Sequence, residues 1–280
     1  MKLFVEHQTI FTYDRPVRES VGELRLYPRD EAGQHCLNFR LTTEPQTAIN
    51  VLADRFGNAV HAYSVLPAHS RLVVNATSLV ETSPASLIAA PQLTLLQRHD
   101  FLSASPYVPD DAELAAFART HAPLDGAAEQ IALALSAAIY EQLDYQPGST
   151  DISTTAAAVL AGRRGVCQDF AHLLIALCRS LGLPARYVSG YLYDAKLRPG
   201  AIVASHAWAE VFLDERGWLG LDPTHNRAVG PDYVRVAVGR DYADATPARG
   251  VFRGGARETL EVQVRVRATD EQPRGAPVGA

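Results

Sequence analysis

A thiol, an imidazole and a carboxylate follow one another as Cys167, His206 and Asp222, each in a local setting that suits nucleophilic chemistry. Cys167 opens an amphipathic run in which Phe170, Leu173, Leu174, Leu177, Cys178 and Leu181 recur at helical spacing, and Gly182 with Pro184 stops it. A cysteine at a helix start meets free backbone N–H groups and the positive end of the macrodipole, which favour a thiolate, and Arg163 and Arg164 just upstream are expected to add positive charge. A lone cysteine is more often a small buried residue. The downstream histidine and aspartate favour chemistry instead, because an activated thiol needs a base within reach and a third group that orients the base.

The elements that would present that base and its partner are two apolar segments. Residues 205–213 and 217–224 flank the turn Asp214-Glu215-Arg216-Gly217 and read as an antiparallel hairpin with His206 on one strand and Asp222 on the other. Strand geometry then imposes a condition. A two-residue turn at Glu215-Arg216 pairs Leu213 with Trp218 and throws His206 and Asp222 onto opposite faces. A shared face requires an odd loop or a bulge, for which Gly217 is suited. The expected register sets Phe212 opposite Trp218 and Asp222 opposite Trp208, diagonal to His206. That face is expected to lie against the helix start at Cys167.

Four motifs in this order, Gly165-Val166-Cys167-Gln168-Asp169-Phe170-Ala171-His172, the segment 182–191 from Gly182-Leu183-Pro184 to Gly190-Tyr191, Ser205-His206-Ala207-Trp208 and Gly220-Leu221-Asp222-Pro223-Thr224, resemble the transglutaminase-like superfamily. The stretches 236–244 and 247–252 resemble bacterial members with an extra N-terminal β region, which extends the likeness to the whole chain. The resemblance implies a papain-like Cys167-His206-Asp222 triad in which the thiolate attacks an amide carbonyl, His206 protonates the leaving amine, and a thioester forms. It leaves open whether water or an amine resolves the thioester; a peptide or protein substrate is expected, and no cofactor, since no EF-hand pattern or acidic ligand run of the Asp-x-Asp-x-Asp-Gly type is present. The chain departs from the animal cross-linking enzymes in carrying Gln168 where those have an aromatic residue, and in having tryptophan only at Trp208 and Trp218, downstream of the cysteine. The oxyanion donors are therefore sought in the Cys167 backbone N–H and in Tyr145 or Gln146, with Gln168 and Trp208 as further oxyanion or substrate candidates. Hydrolysis is favoured over transamidation because no aromatic shield is visible near Cys167. Asp169 is read as a structural acceptor for Arg186 or a backbone N–H, and His172 as a core histidine. A zinc site of Cys167, His172, His206 and Asp222 is disfavoured, since no Cys-x-x-Cys or His-x-x-x-His pair is present. A binding module without activity is disfavoured by the presence of all three triad residues.

Composition narrows the remaining classes. The 280 residues are 47% hydrophobic and carry a formal charge of −5, with no basic run to attract nucleic acid. No apolar stretch of signal or membrane-spanning length is present, and three scattered cysteines make no disulfide framework, so a cytoplasmic setting is expected. Short strands separated by turns fill the first hundred residues and suggest an antiparallel sandwich. Prolines 84, 91, 106 and 109 mark a connecting region. Helices are predicted over 111–120, 127–143 and 155–160 ahead of the cysteine helix, and strands over 185–193, 202–213, 217–222, 233–238 and 259–266. The expected fold class is α+β: an N-terminal β-sandwich-like domain with its connection over 1–105, a transglutaminase-like core over 106–268 with the nucleophile at a helix N-terminus against an antiparallel sheet, and a flexible tail over 269–280.

Overall fold

The computed structural model describes residues 1–84, 92–198 and 200–269; the expected tail beyond Thr269 lies outside them. Six strands come first: β1 (Lys2–Val17), β2 (Glu19–Leu24), β3 (Gln34–Glu44), β4 (Ile49–Ala53), β5 (Ala59–Val65) and β6 (His69–Thr82). A helical segment follows, with α1 (Leu95–Leu102), α2 (Ala112–His121), α3 (Ala128–Gln142), β7 (Asp144–Tyr145), α4 (Ala156–Gly162), β8 (Arg164–Gly165) and α5 (Cys167–Ser180). The last third holds β9 (Ala185–Leu192), β10 (His206–Leu213), β11 (Gly217–Asp222), β12 (Arg227–Ala228), β13 (Tyr233–Gly239), α6 (Tyr242–Ala245), β14 (Ala248–Arg253) and β15 (Glu258–Ala268).

The strands form a four-stranded sheet β15-β1-β6-β3, a second one β14-β2-β5-β4, and a five-stranded sheet β12-β11-β10-β9-β13. Leu24 and Leu26, Tyr63 and Val65, and Leu72, Val74 and Ala76 make one buried cluster from residues of both four-stranded sheets, which is the expected sandwich. The C-terminal boundary differs from expectation. β14 pairs with β2, and β15 pairs with β1 along eleven positions from Leu3–Ala268 to Tyr13–Glu258. Residues 248–268 therefore complete the N-terminal sandwich instead of ending the core. Their alternating pattern identifies strands, but a strand's partner is a non-local choice.

In the helical segment, Asp111 and Thr155 cap α2 and α4 by accepting backbone N–H groups of the first turn. The connecting region holds a helix that the prolines obscured: α1 begins with a capping box in which Thr94 and Gln97 bond each other's backbone N–H. The Arg163 guanidinium lies over the Phe117 ring, 5.3 Å from the centroid, and donates to Gln142. Helix α5 is buried nearly all round and is the centre of the largest core. Leu173, Leu174 and Leu177 pack there with Leu135 and Ile139 of α3 and with Ala185, Tyr187, Ala207, Ala209 and Val211 on one face of the five-stranded sheet.

The sandwich and the five-stranded sheet are joined by an apolar cluster, with Leu3, Val5, Val80 and Val264 against Tyr191, Val234 and Val236, and by polar groups. β13 is an edge strand, and two side-chain amides from the sandwich complete its hydrogen bonding. Asn58 donates to the Val238 carbonyl (2.7 Å) and accepts from its N–H (2.8 Å), and Gln34 does the same at Arg235 (2.8 Å each). Next to this seam Glu210, fully buried, accepts from Arg186 (2.8 Å) and from Arg235, and Arg235 also faces Glu31 at 3.4 Å. Burial raises the Glu210 carboxyl, and the two guanidiniums overcome that and hold it down at about 2. Replacing Glu210 with glutamine leaves the buried Arg186 without its bonded anion and Arg235 with Glu31 alone. The expected cost is about 3–5 kcal/mol, which corresponds to a loss of roughly 10 °C in the thermal midpoint. A midpoint within a degree of the parent in a calorimetric scan would show that the network carries no net stability.

Candidate active site

Short parallel strands place the cysteine. β7 pairs with β8 at Asp144–Arg164 and Tyr145–Gly165, and the Gln146 N–H donates to the Gly165 carbonyl (2.9 Å), so the chain entering α5 is tied to the end of α3. Asp169 then turns back. Its Oδ2 accepts the Val166 N–H at 2.8 Å and the Thr150 hydroxyl at 2.6 Å, which caps the helix. A side chain at Gly165 could not be accommodated, because a Cβ there would stand 2.7 Å from the Asp169 Cβ. The expected Arg186 partner of Asp169 is engaged with Glu210 instead.

The hairpin has the register that a shared face requires. Phe212 is opposite Trp218 and Leu213 opposite Gly217, leaving a three-residue loop, and Gly217 has φ +79°. His206 and Asp222 consequently meet, with Nε2 to Oδ2 at 2.7 Å. The expectation that this face lies against α5 is not met. Helix α5 covers the side formed by Ala207, Ala209 and Val211, whereas Trp208 packs on the other side with Val188, Tyr233 and Val238. His206 still reaches Cys167, because it is the first residue of β10 and Cys167 the first of α5, so they meet around the end of the sheet.

Asp222 is fully buried and accepts four hydrogen bonds. His206 Nε2, His225 Nδ1 (2.8 Å) and the Tyr233 hydroxyl (2.7 Å) converge on Oδ2, and the Thr224 N–H donates to Oδ1 (2.9 Å). Burial raises its carboxyl, and these donors, His206 first, bring it far below the usual carboxylate range. His206 feels the reciprocal effect. Burial alone would lower it, but its hydrogen bond to Asp222 and the neighbouring Cys167, with their charges, raise it to about 9. His225 and Tyr233 were not anticipated: His225 lies three residues past Asp222, a spacing visible in the sequence, whereas Tyr233 arrives on the far edge of the sheet.

Cys167 and His206 open onto a cleft of about 210 Å³ whose walls include Gln168, Tyr187, Ser189, Ser205 and Tyr242 on one side and His7, Thr9, Leu260 and Val262 of the sandwich on the other. Aromatic rings are therefore present, contrary to the expectation drawn from the neighbours of Cys167 in sequence. A larger hollow of about 440 Å³ near Arg179 lies toward the other end of α5 and contains none of the candidates. Among the oxyanion and substrate candidates, Gln168 lines the cleft. Tyr145 is half exposed, and burial first, then its nearness to Cys167, raises its phenol. Gln146 contributes its backbone to the β7–β8 tie and does not line the cleft. Trp208 is excluded as a substrate contact, since its ring is fully buried against Tyr233. His172 is also buried, accepting the Tyr242 N–H at 3.0 Å and stacking on Tyr107, which takes it out of the disfavoured zinc set. The ligand atoms of His206, Asp222 and His225 do lie within 4.8 Å of one another, and the hydrogen bonds of both imidazoles to Asp222 account for that closeness.

A family model of the transglutaminase-like superfamily matches residues 115–223, a span that holds all three residues, and one of the bacterial transglutaminase-like N-terminal region matches residues 3–81. The chain belongs to the transglutaminase-like superfamily. An uncharacterised protein of Mycobacterium leprae (strain TN) is 33% identical over 280 residues, covering 95% of this chain and 98% of the relative. A crystal structure of a cysteine protease candidate from Cytophaga hutchinsonii superposes with a TM-score of 0.77 at 27% identity, covering 98% of this chain and 93% of that one. A protein-glutamine gamma-glutamyltransferase of Pseudomonas aeruginosa is 30% identical over 114 residues, 36% of this chain and 17% of that protein. The transglutaminase-like fold thus extends over the α+β core and the sandwich together. Among its described residues no helix is long and apolar enough to cross a membrane.

Proposed function

We propose that this chain is a cysteine acyl-transfer enzyme that opens a peptide or isopeptide amide through a thioester on Cys167. The observation that carries the reading is the position of His206, between Cys167 on one side and a fully buried, four-fold bonded Asp222 on the other. With Nε2 donating to Asp222, Nδ1 is left for the thiol and takes its proton. The sulfur then attacks the carbonyl carbon, the C–N bond breaks, and the Nδ1 proton leaves with the amine. In the second half water adds to the thioester, its proton passes to Nδ1, and the sulfur departs. The first-turn N–H groups of α5, which have no acceptor within the helix, suit the negative oxygen that develops on the carbonyl. Gln168 and Tyr145 are the side-chain candidates beside them.

Hydrolysis is the favoured outcome, because hydroxyl and amide groups of Thr9, Gln168, Ser189 and Ser205 line a cleft that water can wet. Transamidation is the second reading, supported by the partial match to a protein-glutamine gamma-glutamyltransferase. The step balances without a metal, so chelator should leave the rate unchanged, and three free cysteines suit a reducing compartment. The test is incubation with a peptide library, with and without a primary amine, and identification of products by mass. Acid and amine products in both conditions are expected. Amine adducts exceeding hydrolysis would reassign the chain as a transamidase, and no turnover in either condition would make it a binding module.

A further inference from the structure

The cleft beside Cys167 is bounded by a sheet edge that, among the described residues, is paired at Val264 and not beyond. β15 is the outermost strand of its sheet, and its outward hydrogen-bonding positions can be identified. Val264 exchanges two backbone bonds with Val203 on the outer side (Val203 N–H to Val264 carbonyl 2.8 Å, the reverse 3.2 Å). Residues two apart along a strand point the same way, so Val262 and Leu260 also aim their N–H and C=O groups outward. The β1–β15 ladder runs without a register shift, and Thr269 bonds inward to Lys2, which agrees with this alternation.

The segment that covers Val264 does not continue. After Val203 the chain passes Ser205 and enters β10 at His206, leaving β15 just where the next outward positions begin. Among the described residues none pairs with the backbone of Val262 or Leu260 on that side. Both side chains are partly exposed and line the cleft that holds Cys167. Among the described residues no Asp, Glu, Lys or Arg lines that cleft.

We propose that the outer edge of β15 at Val262 and Leu260 is the substrate subsite, and that it takes an extended, unfolded polypeptide segment with uncharged side chains as an added strand. The inference rests on the acyl-transfer reading for its importance but not for its test. Edge strands commonly recruit extended peptides in this way, with main-chain hydrogen bonds supplying affinity and neighbouring side chains selectivity. Here the added strand would continue the line of Val203 toward Cys167, so the polypeptide would be held on the sandwich while its amide enters the cleft. A folded domain could offer only an exposed edge strand of its own, so the substrates are loops, tails and denatured chains, which can lay an extended segment along β15.

Binding of fluorescently labelled β-casein, an unstructured polypeptide, to the full chain carrying Cys167→Ser measures this subsite without turnover. Val262→Pro removes an outward N–H and leaves the inward ladder intact, as proline is tolerated on an edge. Leu260→Glu places a charge on the neutral wall at a half-exposed position. Each is expected to weaken binding at least about tenfold, an effect the size of one lost hydrogen bond to a desolvated site, with the thermal midpoint nearly unchanged. Parent-level binding by folded Val262→Pro or by Leu260→Glu would overturn the proposal. So would absence of β-casein binding by the parent, or a dimer of the parent that Val262→Pro converts to monomer, since the edge would then serve a second copy. Binding that depends on both residues, together with no turnover by the Cys167 form, would instead retain the subsite and reject the enzyme.

Discussion

Replacing Cys167 with alanine is expected to abolish the proposed amide turnover, with a loss of at least about four orders of magnitude, because the nucleophile and the thioester route vanish together. The other two thiols make the result specific. Burial, with Asp30 adding its charge, raises Cys36 to about 11, and burial pushes Cys178 up to about 12. At neutral pH both are almost wholly protonated and unreactive toward iodoacetamide. Mass analysis of the parent after brief alkylation should therefore show one modified site, Cys167, and loss of activity in step with it. Replacing His206 with alanine should slow that alkylation. Labelling of Cys36 ahead of Cys167, or activity surviving full modification of Cys167, would remove the thiol from the mechanism.

The second large effect is expected at Asp222. Exchanging it for asparagine keeps the shape but takes away the anion on which His206, His225 and Tyr233 converge. A fall in kcat of about two to four orders of magnitude is expected from loss of the imidazolium's stabilisation and of the tautomer. The pH profile separates this from simple damage to the fold. His206 is raised to about 9, so the proton it is proposed to give the leaving amine is available below that pH and is lost above it. The parent should show an alkaline limb near pH 9, and in Asp222→Asn, where burial is no longer offset by the carboxylate, the limb should move by more than one unit to lower pH. Stability follows the same sign. The contribution of His206 is complete below its unfolded value of 6.5 and disappears as pH rises through about 9. Thermal midpoints of the parent should decline across that window, and those of the variant should decline less. An unmoved alkaline limb would mean that a group other than His206 supplies the proton.

Local structure was legible in the residues themselves. The helical spacing from Phe170 to Leu181 defined α5 and put Cys167 at its start, because an apolar stripe with a glycine-proline stop is local information. Strand parity was legible in the same way. A shared face for His206 and Asp222 demanded an odd loop, and Gly217 was the residue able to make it. Pairing across the chain was not legible. β15 reads as a strand from its own residues, but only assembly shows that it returns to β1 and walls the cleft with Leu260 and Val262. Tyr233 joins Asp222 across the sheet, and α5 covers the opposite face from the one expected, because the ends of β10 and α5 meet at the rim of the sheet. Periodicity within a segment determines which side chains share a face. Which segment that face meets depends on burying all the faces at once, and that was decided only when the sandwich closed around the core.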